Sequence, residues 1–310
     1  MNDRYLRTAR LLAQVAPSVF VGDVFALKGG TAINLFYRDL PRLSVDLDLV
    51  YRDHTVPRAA ALARIRAELE AMARRLRDRG FASTAPVTVL GESKLIVRDQ
   101  DLTVKVEVNT VMRGTVHPAR TLALSGRASD LLKVDLEVPV TALEDTYGGK
   151  LAAALDRQHP RDLFDIRELC ANEGLTPAIR RAFVVYAASH NRPVHELLFP
   201  SERDITLDFT GAFAGMTAEP VPLDDLLAIR TWLRQWLPTA LDERERAFLL
   251  SLVAAAPQWE LLGVPHVAEL PAVRWKLENL ERLRQEDPAK FRLQHDLLAG
   301  RFANLPVPGA

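Results

Sequence analysis

The 310-residue sequence predicts an α+β fold: a mixed β-sheet core with helices, followed by a mostly helical C-terminal region. Three observations carry this. Short runs with the two-residue alternation of half-buried strands fall between residues 24 and 140. A glycine pair, Gly29-Gly30, separates one apolar run from a helical pattern. From Thr141 onward helical spacing takes over, punctuated by Pro and Gly near 192–222 and 257–271.

Taken in order, residues 3–16 set Tyr5, Leu6, Ala9, Leu11, Leu12 and Val15 near helical spacing, which predicts a first helix. Val24-Phe25-Ala26-Leu27 is a short strand-like run that ends in Lys28-Gly29-Gly30-Thr31, and Ala32–Tyr37 resumes as helix. A polar loop with Pro41 leads into Ser44–Tyr51, where Val45, Leu47 and Leu49 share one face and Asp46 and Asp48 the other. Residues 57–79 read as a long helix bearing Arg58, Arg64, Arg66, Arg74, Arg75, Arg77 and Arg79 against Glu68, Glu70 and Asp78. Gly80 is placed to end it. Strand-like runs follow at Thr84–Leu90, Lys94–Val97 and Leu102–Val108, with a shorter one at Val134–Val140. Thr141 with Glu144 three residues on predicts a capping box for a helix running to about Arg157. A loop with Pro160 precedes a second helix from Arg161 to Asn172, with Cys170 expected to be buried in it, and 200–222 reads as a loop-rich connection. The resulting division is a core over 1–140 and a helical domain over 141–310.

Composition bounds the function. With 48% hydrophobic and 26% charged residues the chain is of ordinary globular make-up, not disordered or collagen-like. Forty Lys+Arg balance forty Asp+Glu, so no whole-molecule basic field marks a nucleic-acid binder, although a local basic face remains open. A single cysteine excludes a disulfide framework and a Cys-rich zinc site. No apolar run reaches the roughly 18 residues of a membrane span, and the polar start is unlike a signal peptide. The expectation is a soluble cytoplasmic protein with no membrane partner. His159, His190, His195 and His266 have no metal-ligand spacing among themselves. Trp232 and Trp236, four apart on one helix face, read as core ahead of a base-stacking platform.

The informative unit is Gly29-Gly30-Thr31 followed, after fourteen residues, by Asp46-Leu47-Asp48. A glycine pair between strand and helix lets backbone approach a ligand closely, and the helix start behind it presents amide N–H groups to phosphate. Thr31 can add a hydroxyl donor. Asp46 and Asp48 point the same way, roughly 6.6 Å apart at about 3.3 Å per residue. Two carboxylates so placed repel unless a cation sits between them, and a hard divalent cation with oxygen ligands is the usual solution. A phosphate cradle beside a metal-binding Asp pair is the equipment of two-metal phosphoryl or nucleotidyl transfer. Glu107, on the polar face of Val104–Val108 with Lys105, is the candidate third ligand or proton acceptor. Lys150 and Arg157 share a helix face two turns apart, and Asp162 and Asp165 form an i, i+3 pair after Arg161. Lys150 could neutralise triphosphate charge, with Asp162 or Asp165 holding it or Arg161 in place.

Lys28-Gly29-Gly30-Thr31-Ala32 through Arg42-x-Ser44-x-Asp46-Leu47-Asp48-Leu49 resembles the first motif of the AbiEii-type toxin nucleotidyltransferases. That family belongs to the polymerase-β-like nucleotidyltransferase superfamily and includes the MenT toxins. Asp145 and Lys150 match the family's D-x-x-x-x-K, and Arg161, Asp162 and Asp165 its R-D-x-x-D, so the likeness spans about residues 24–170 in order. A K-x-x-x-T motif is only approximated, because Lys105 and Thr110 stand one residue too far apart. The resemblance implies a nucleotidyltransferase-type fold and transfer of nucleotides from an NTP, with two Mg²⁺ ions, or Mn²⁺ in their place. It implies a metal site of Asp46, Asp48 and Glu107, and catalytic roles for these with Lys150, Asp162 and Asp165. The substrate side would hold Lys28, Gly29, Gly30, Thr31, Arg42, Ser44, Arg157 and Arg161. The acceptor implied is the 3′ end of tRNA, which blocks translation, and a cognate antitoxin protein is the implied partner.

Plainer readings stand beside these. Asp46 and Asp48 could be the solvent face of a strand, Arg42 and Ser44 braces for their loop, and Arg161, Asp162 and Asp165 a structural ion-pair cluster. The arginines of 57–79, with Arg64, Arg75 and Arg79 close to one face, could face RNA or only solvent. Transfer to a protein or small molecule, or a catalytically silent nucleotide-binding module, are the competing functions.

Overall fold

The computed structural model describes residues 1–84, 87–89 and 92–305. The chain divides into two compact units, Met1–Thr146 with Phe213–Val221, and Tyr147–Ala212 with Pro222–Ala310. No helix among the described residues is long and apolar enough to cross a membrane.

The first unit opens with α1 (Asp3–Val19), whose N-terminus is capped by Asn2 accepting the Arg4 N–H. Strand β1 (Phe25–Lys28) runs through the glycine pair into α2 (Gly29–Ala32), which continues as a π-helical turn, Ile33–Tyr37. Then come β2 (Asp46–Tyr51), α3 (Arg58–Asp78), β3 (Ala82–Ser83), β4 (Val87–Val89), β5 (Glu92–Asp99), β6 (Leu102–Arg113) and β7 (Arg120–Ala123). After α4 (Gly126–Leu132) and β8 (Glu137–Val140), α5 (Leu143–Asp156) begins. The strands form one mixed sheet in the order β3-β5-β6-β2-β1-β8-β7, with β4 paired to β5. β2 lies parallel to β6 and β1 parallel to β8; the other pairs are antiparallel.

The alternation of β6 shows why the sheet has one wet face. Leu102, Val104, Val106 and Val108 are buried, whereas Thr103 and Lys105 are exposed. The buried set joins Leu47 and Leu49 of β2, Leu12 of α1 and Leu69 and Met72 of α3 in a single core. The polar residues of the same strands are left on the opposite face. Of the strand expected over Thr84–Leu90, positions 85, 86 and 90 lie outside the described residues, and β4 falls within it.

In the second unit α5 is followed by α6 (Pro160–Ala171), α7 (Pro177–Ala188), α8 (Val194–Leu198), α9 (Thr206–Ala212), α10 (Leu223–Ala240) and α11 (Glu243–Val253). Two 3₁₀ turns, Trp259–Leu261 and Pro265–Glu269, lead to α12 (Pro271–Glu286) and α13 (Pro288–Ala303). Two glycines inside α5 let α7 approach. A Cβ on Gly148 would stand 2.8 Å from the Phe183 amide nitrogen, and one on Gly149 3.2 Å from the Tyr186 ring.

Three expectations are corrected and one is refined. The region 200–222 is loop-rich as expected, with the short helix α9 inside it. Thr141 precedes the helix start, and its hydroxyl pairs with that of Thr146 at 2.7 Å; a capping box is formed instead by Asp242 with Glu245 on α11. Cys170 is exposed, because it lies on the outer side of the last turn of α6. Trp232 and Trp236 are half-buried and stacked on each other, centroids 4.5 Å apart, so neither is a core residue.

Candidate active site

The sheet register builds the site in the first unit. Lys28 of β1 is paired across the ladder with Asp48 of β2, Asp48 with Glu107 of β6, and Glu107 with Lys94 of β5. Residues opposite one another share a sheet face, so these four form a row across four strands spaced about 4.8 Å apart. Asp46 is paired with Lys105 in the same way, and lies on the same face as Asp48. The charges run plus, minus, minus, plus. Lys94 Nζ is 3.0 Å from Glu107 Oε1 and 3.0 Å from Glu92 Oε2. The hydrogen bonds to Glu107 and Glu92 hold the Lys94 ammonium above the ordinary lysine range.

The glycine turn closes over Asp48. Gly29 sits at φ +74°, and a Cβ there would lie 2.7 Å from Asp48 Oδ2. A Cβ on Gly30 would lie 2.6 Å from Arg42 Nη2 and 3.5 Å from Ser44 Oγ. Only glycine fits both positions undisturbed. Beneath the turn, Thr31, Arg42 and Ser44 are all buried. Thr31 Oγ1 meets Ser44 Oγ at 2.8 Å and donates to the Asp46 carbonyl, so its hydroxyl proton already has an acceptor. Arg42 Nη1 donates to the Leu43 carbonyl at 2.9 Å, and Arg42 also bridges to Thr217. These three side chains brace the loop against β2. Lys28, Gly29 and Gly30 are the half-exposed members of the motif.

The donor set suits a hard divalent cation: two partly exposed carboxylates side by side on one strand, with no Cβ from the facing turn to crowd them. Among the described residues no group of three or more His, Cys, Asp or Glu side chains is gathered as a ligand set. Glu107 is drawn toward Lys94 instead. Lys105 is exposed, whereas Thr110 is buried on the other face of β6, as an odd separation along a strand requires.

In the second unit Lys150 lies at the centre of a buried ion cluster. Its Nζ is 2.8 Å from Asp162 Oδ1 and 3.0 Å from Asp165 Oδ2, and the side chains of all three are nearly inaccessible. Arg157 adds bonds to Asp162 of 2.6 and 3.0 Å while remaining 58% exposed. Burial alone would raise the Asp162 carboxyl. The charges and hydrogen bonds of Lys150 and Arg157 outweigh it and hold the group well below the carboxylate range. Arg161 is half-buried, and its backbone N–H donates to Nδ1 of His159, the N-cap of α6.

One contributor was missed from sequence, and one motif residue has a role that the sequence did not give. Lys94, partner of Glu107, follows from register alone. Asp145, fully buried, accepts the N–H groups of Val116 and His117 at 2.7 and 2.8 Å and contacts His117 Nδ1 at 3.0 Å, so it anchors the loop after β6. Its place in a helix first turn was visible in the sequence; its distant partners were not.

The family model described as "Nucleotidyl transferase AbiEii toxin, Type IV TA system" matches residues 10–279. Among solved structures, MenT4, a nucleotidyltransferase toxin from Mycobacterium tuberculosis H37Rv, is similar with a TM-score of 0.58 at 22% sequence identity, over 88% of this chain and 91% of that one. Comparison with curated protein sequences gives no match.

Proposed function

Because the chain belongs to the AbiEii family of type IV toxin–antitoxin nucleotidyltransferases, it is a nucleotidyl-transferring enzyme, and we propose that it passes a nucleotide from an NTP to the 3′ end of tRNA. This occurs in the cytoplasm, under restraint by a cognate antitoxin protein. The observation that carries the reading is the Asp46–Asp48 pair lying under a glycine turn that no other residue fits. The acceptor hydroxyl oxygen attacks the α-phosphorus, the bond to the bridging oxygen of pyrophosphate breaks, and the hydroxyl proton passes to Glu107 Oε2. Lys94 holds Oε1 of the same carboxylate and so fixes its orientation. Backbone amides of Gly29 and Gly30, with Lys28, draw the β- and γ-phosphates. Asp46 and Asp48 would hold Mg²⁺, or Mn²⁺, and Glu107 stands one strand away. When bound, the ion offsets phosphate charge and favours loss of the acceptor proton.

In the second unit Lys150 acts as a positioning residue tied to Asp162 and Asp165, and Arg157, which also bonds Asp162, and Arg161 are the cations suited to phosphate. The test is incubation with each α-labelled NTP, Mg²⁺ and total RNA. Label on tRNA supports the reading. Label on protein moves the acceptor to a protein hydroxyl, and no label from the folded protein removes the catalytic reading.

A further inference from the structure

A cleft of about 570 Å³ lies within the helical unit, between the segment around α8 and helices α12 and α13. That volume is in the range of small-molecule sites. One part of its lining is apolar: Leu280, Leu283, Leu293 and Leu297. Leu293 and Leu297 are 54% and 43% exposed, an unusual condition for two leucines one turn apart.

The polar part is built around Lys276, only 7% exposed. A lysine so buried is normally paired with a carboxylate. Here Nζ donates to two carbonyls, of His190 at 2.9 Å and Arg192 at 2.7 Å, and to no carboxylate among the described residues. Its third N–H remains. Of the nearby acids, Asp156 is 3.1 Å from Arg192 Nη1, and Glu196, which shares the cleft lining, stands 3.7 Å from Arg192 Nε and makes no hydrogen bond to Lys276. His195, also in the lining, has a buried Nδ1 with no hydrogen-bond partner. Burial lowers the Lys276 ammonium to about 8, partly opposed by Glu196, so it is still charged near neutrality. A buried cation whose two hydrogen bonds both go to carbonyls, with Glu196 acting on it only from a distance, has a donor left for an anion beside an unpartnered ring nitrogen and a leucine wall.

We propose that this cleft binds a small amphiphilic anion, its charged head on Lys276 and His195 and its apolar body along Leu283, Leu293 and Leu297. The cleft shares no residue with the sheet-face site, and the proposal is independent of the nucleotidyl-transfer reading.

The test is calorimetric titration of the full chain with decanoate and with decyl phosphate, both below micellar concentration, and with decanol as the uncharged control. Either anion should bind at least tenfold more tightly than decanol and raise the thermal midpoint in a dose-dependent way; which of the two binds better identifies the head group as carboxylate or phosphate. Lys276→Gln should erase the preference for anions over decanol. Since Lys276 also ties two carbonyls together, Leu293→Glu serves where that variant does not fold. Leu293 is exposed, and a carboxylate there should weaken anion binding tenfold by repulsion. Anions that bind no better than decanol, or that bind Leu293→Glu as they bind the unaltered chain, overturn the proposal.

Discussion

Asp48 lies at the centre of the charged row in the first unit. It faces Lys28 on one side and Glu107 on the other, and Gly29 closes above it. Asp48→Asn should lower nucleotide transfer on the order of 100-fold or more and leave stability unchanged or slightly raised, because a like charge beside Asp46 is removed. Label incorporation and urea midpoints read the two effects separately, and full turnover would discard the assignment. Gly29→Ala should fail differently. Its φ of +74° strains any L side chain by about 1–2 kcal/mol, and its Cβ would push Asp48 Oδ2 aside, so activity and stability should fall together. Lys150→Met tests the buried cluster. It leaves Asp162 and Asp165 without their shared cation and should cost about 3–5 kcal/mol by chemical denaturation. A loss confined to NTP use, with stability intact, would instead return Lys150 to the phosphates. The faces of Asp46, Asp48 and Glu107 were legible because strand alternation is local. The hold of Lys94 on Glu107 was not, because it depends on which strands pair and in what register.

The same limit recurs for whole elements. Helix α3 was legible from periodicity, but the task of its arginines was not. Arg75 Nε donates to the Ser18 carbonyl at 2.9 Å and Nη2 to Glu68 at 2.7 Å; Arg79 reaches Ser18 Oγ at 2.9 Å and lies over the Phe81 ring. Arg64 stands 3.9 Å from Asp23. Two of the three arginines aligned as an RNA-facing stripe therefore tie α3 to α1, since the C-terminus of α1 meets that face. Arg75→Gln should destabilise the protein by about 1–2 kcal/mol, read as a lowered urea midpoint. A variant as stable as the parent would free Arg75 for a surface role. In α5 the need for glycine at 148 and 149 is set by the position of α7, which no local pattern of the sequence gives. Cap and turn signals met a similar fate: Thr141 had the spacing of a capping box, yet its hydroxyl found Thr146 first.

At the scale of the whole chain, acid sensitivity is concentrated in the helical unit. His159, His190 and His195 all belong to it, and burial lowers the pKa of each, that of His159 from 6.5 to about 4. Arg161 adds to the shift at His159, and Asp156 and Glu196 oppose it at His190 and His195. Geometry agrees for two of them, whose Nδ1 atoms accept the backbone N–H of Arg161 and of Arg192 and must be unprotonated to do so. Between pH 6.5 and the lowered values the unfolded chain holds more protons than the folded one. The stability these residues contribute is therefore whole above pH 6.5 and is lost as pH falls toward 4. Glu245, whose carboxyl burial raises, works the other way in the carboxylate range, so the clean comparison is pH 7.5 against 5.5. All four tryptophans, Trp232, Trp236, Trp259 and Trp275, also lie in this unit, so their fluorescence reports its unfolding alone. The urea midpoint by tryptophan fluorescence should be lower at pH 5.5 than at 7.5. His159→Asn, which keeps an N-cap acceptor without a titrating ring, should narrow the gap. Equal midpoints at the two pH values would mean that these rings are protonated as readily in the folded chain as in the unfolded one.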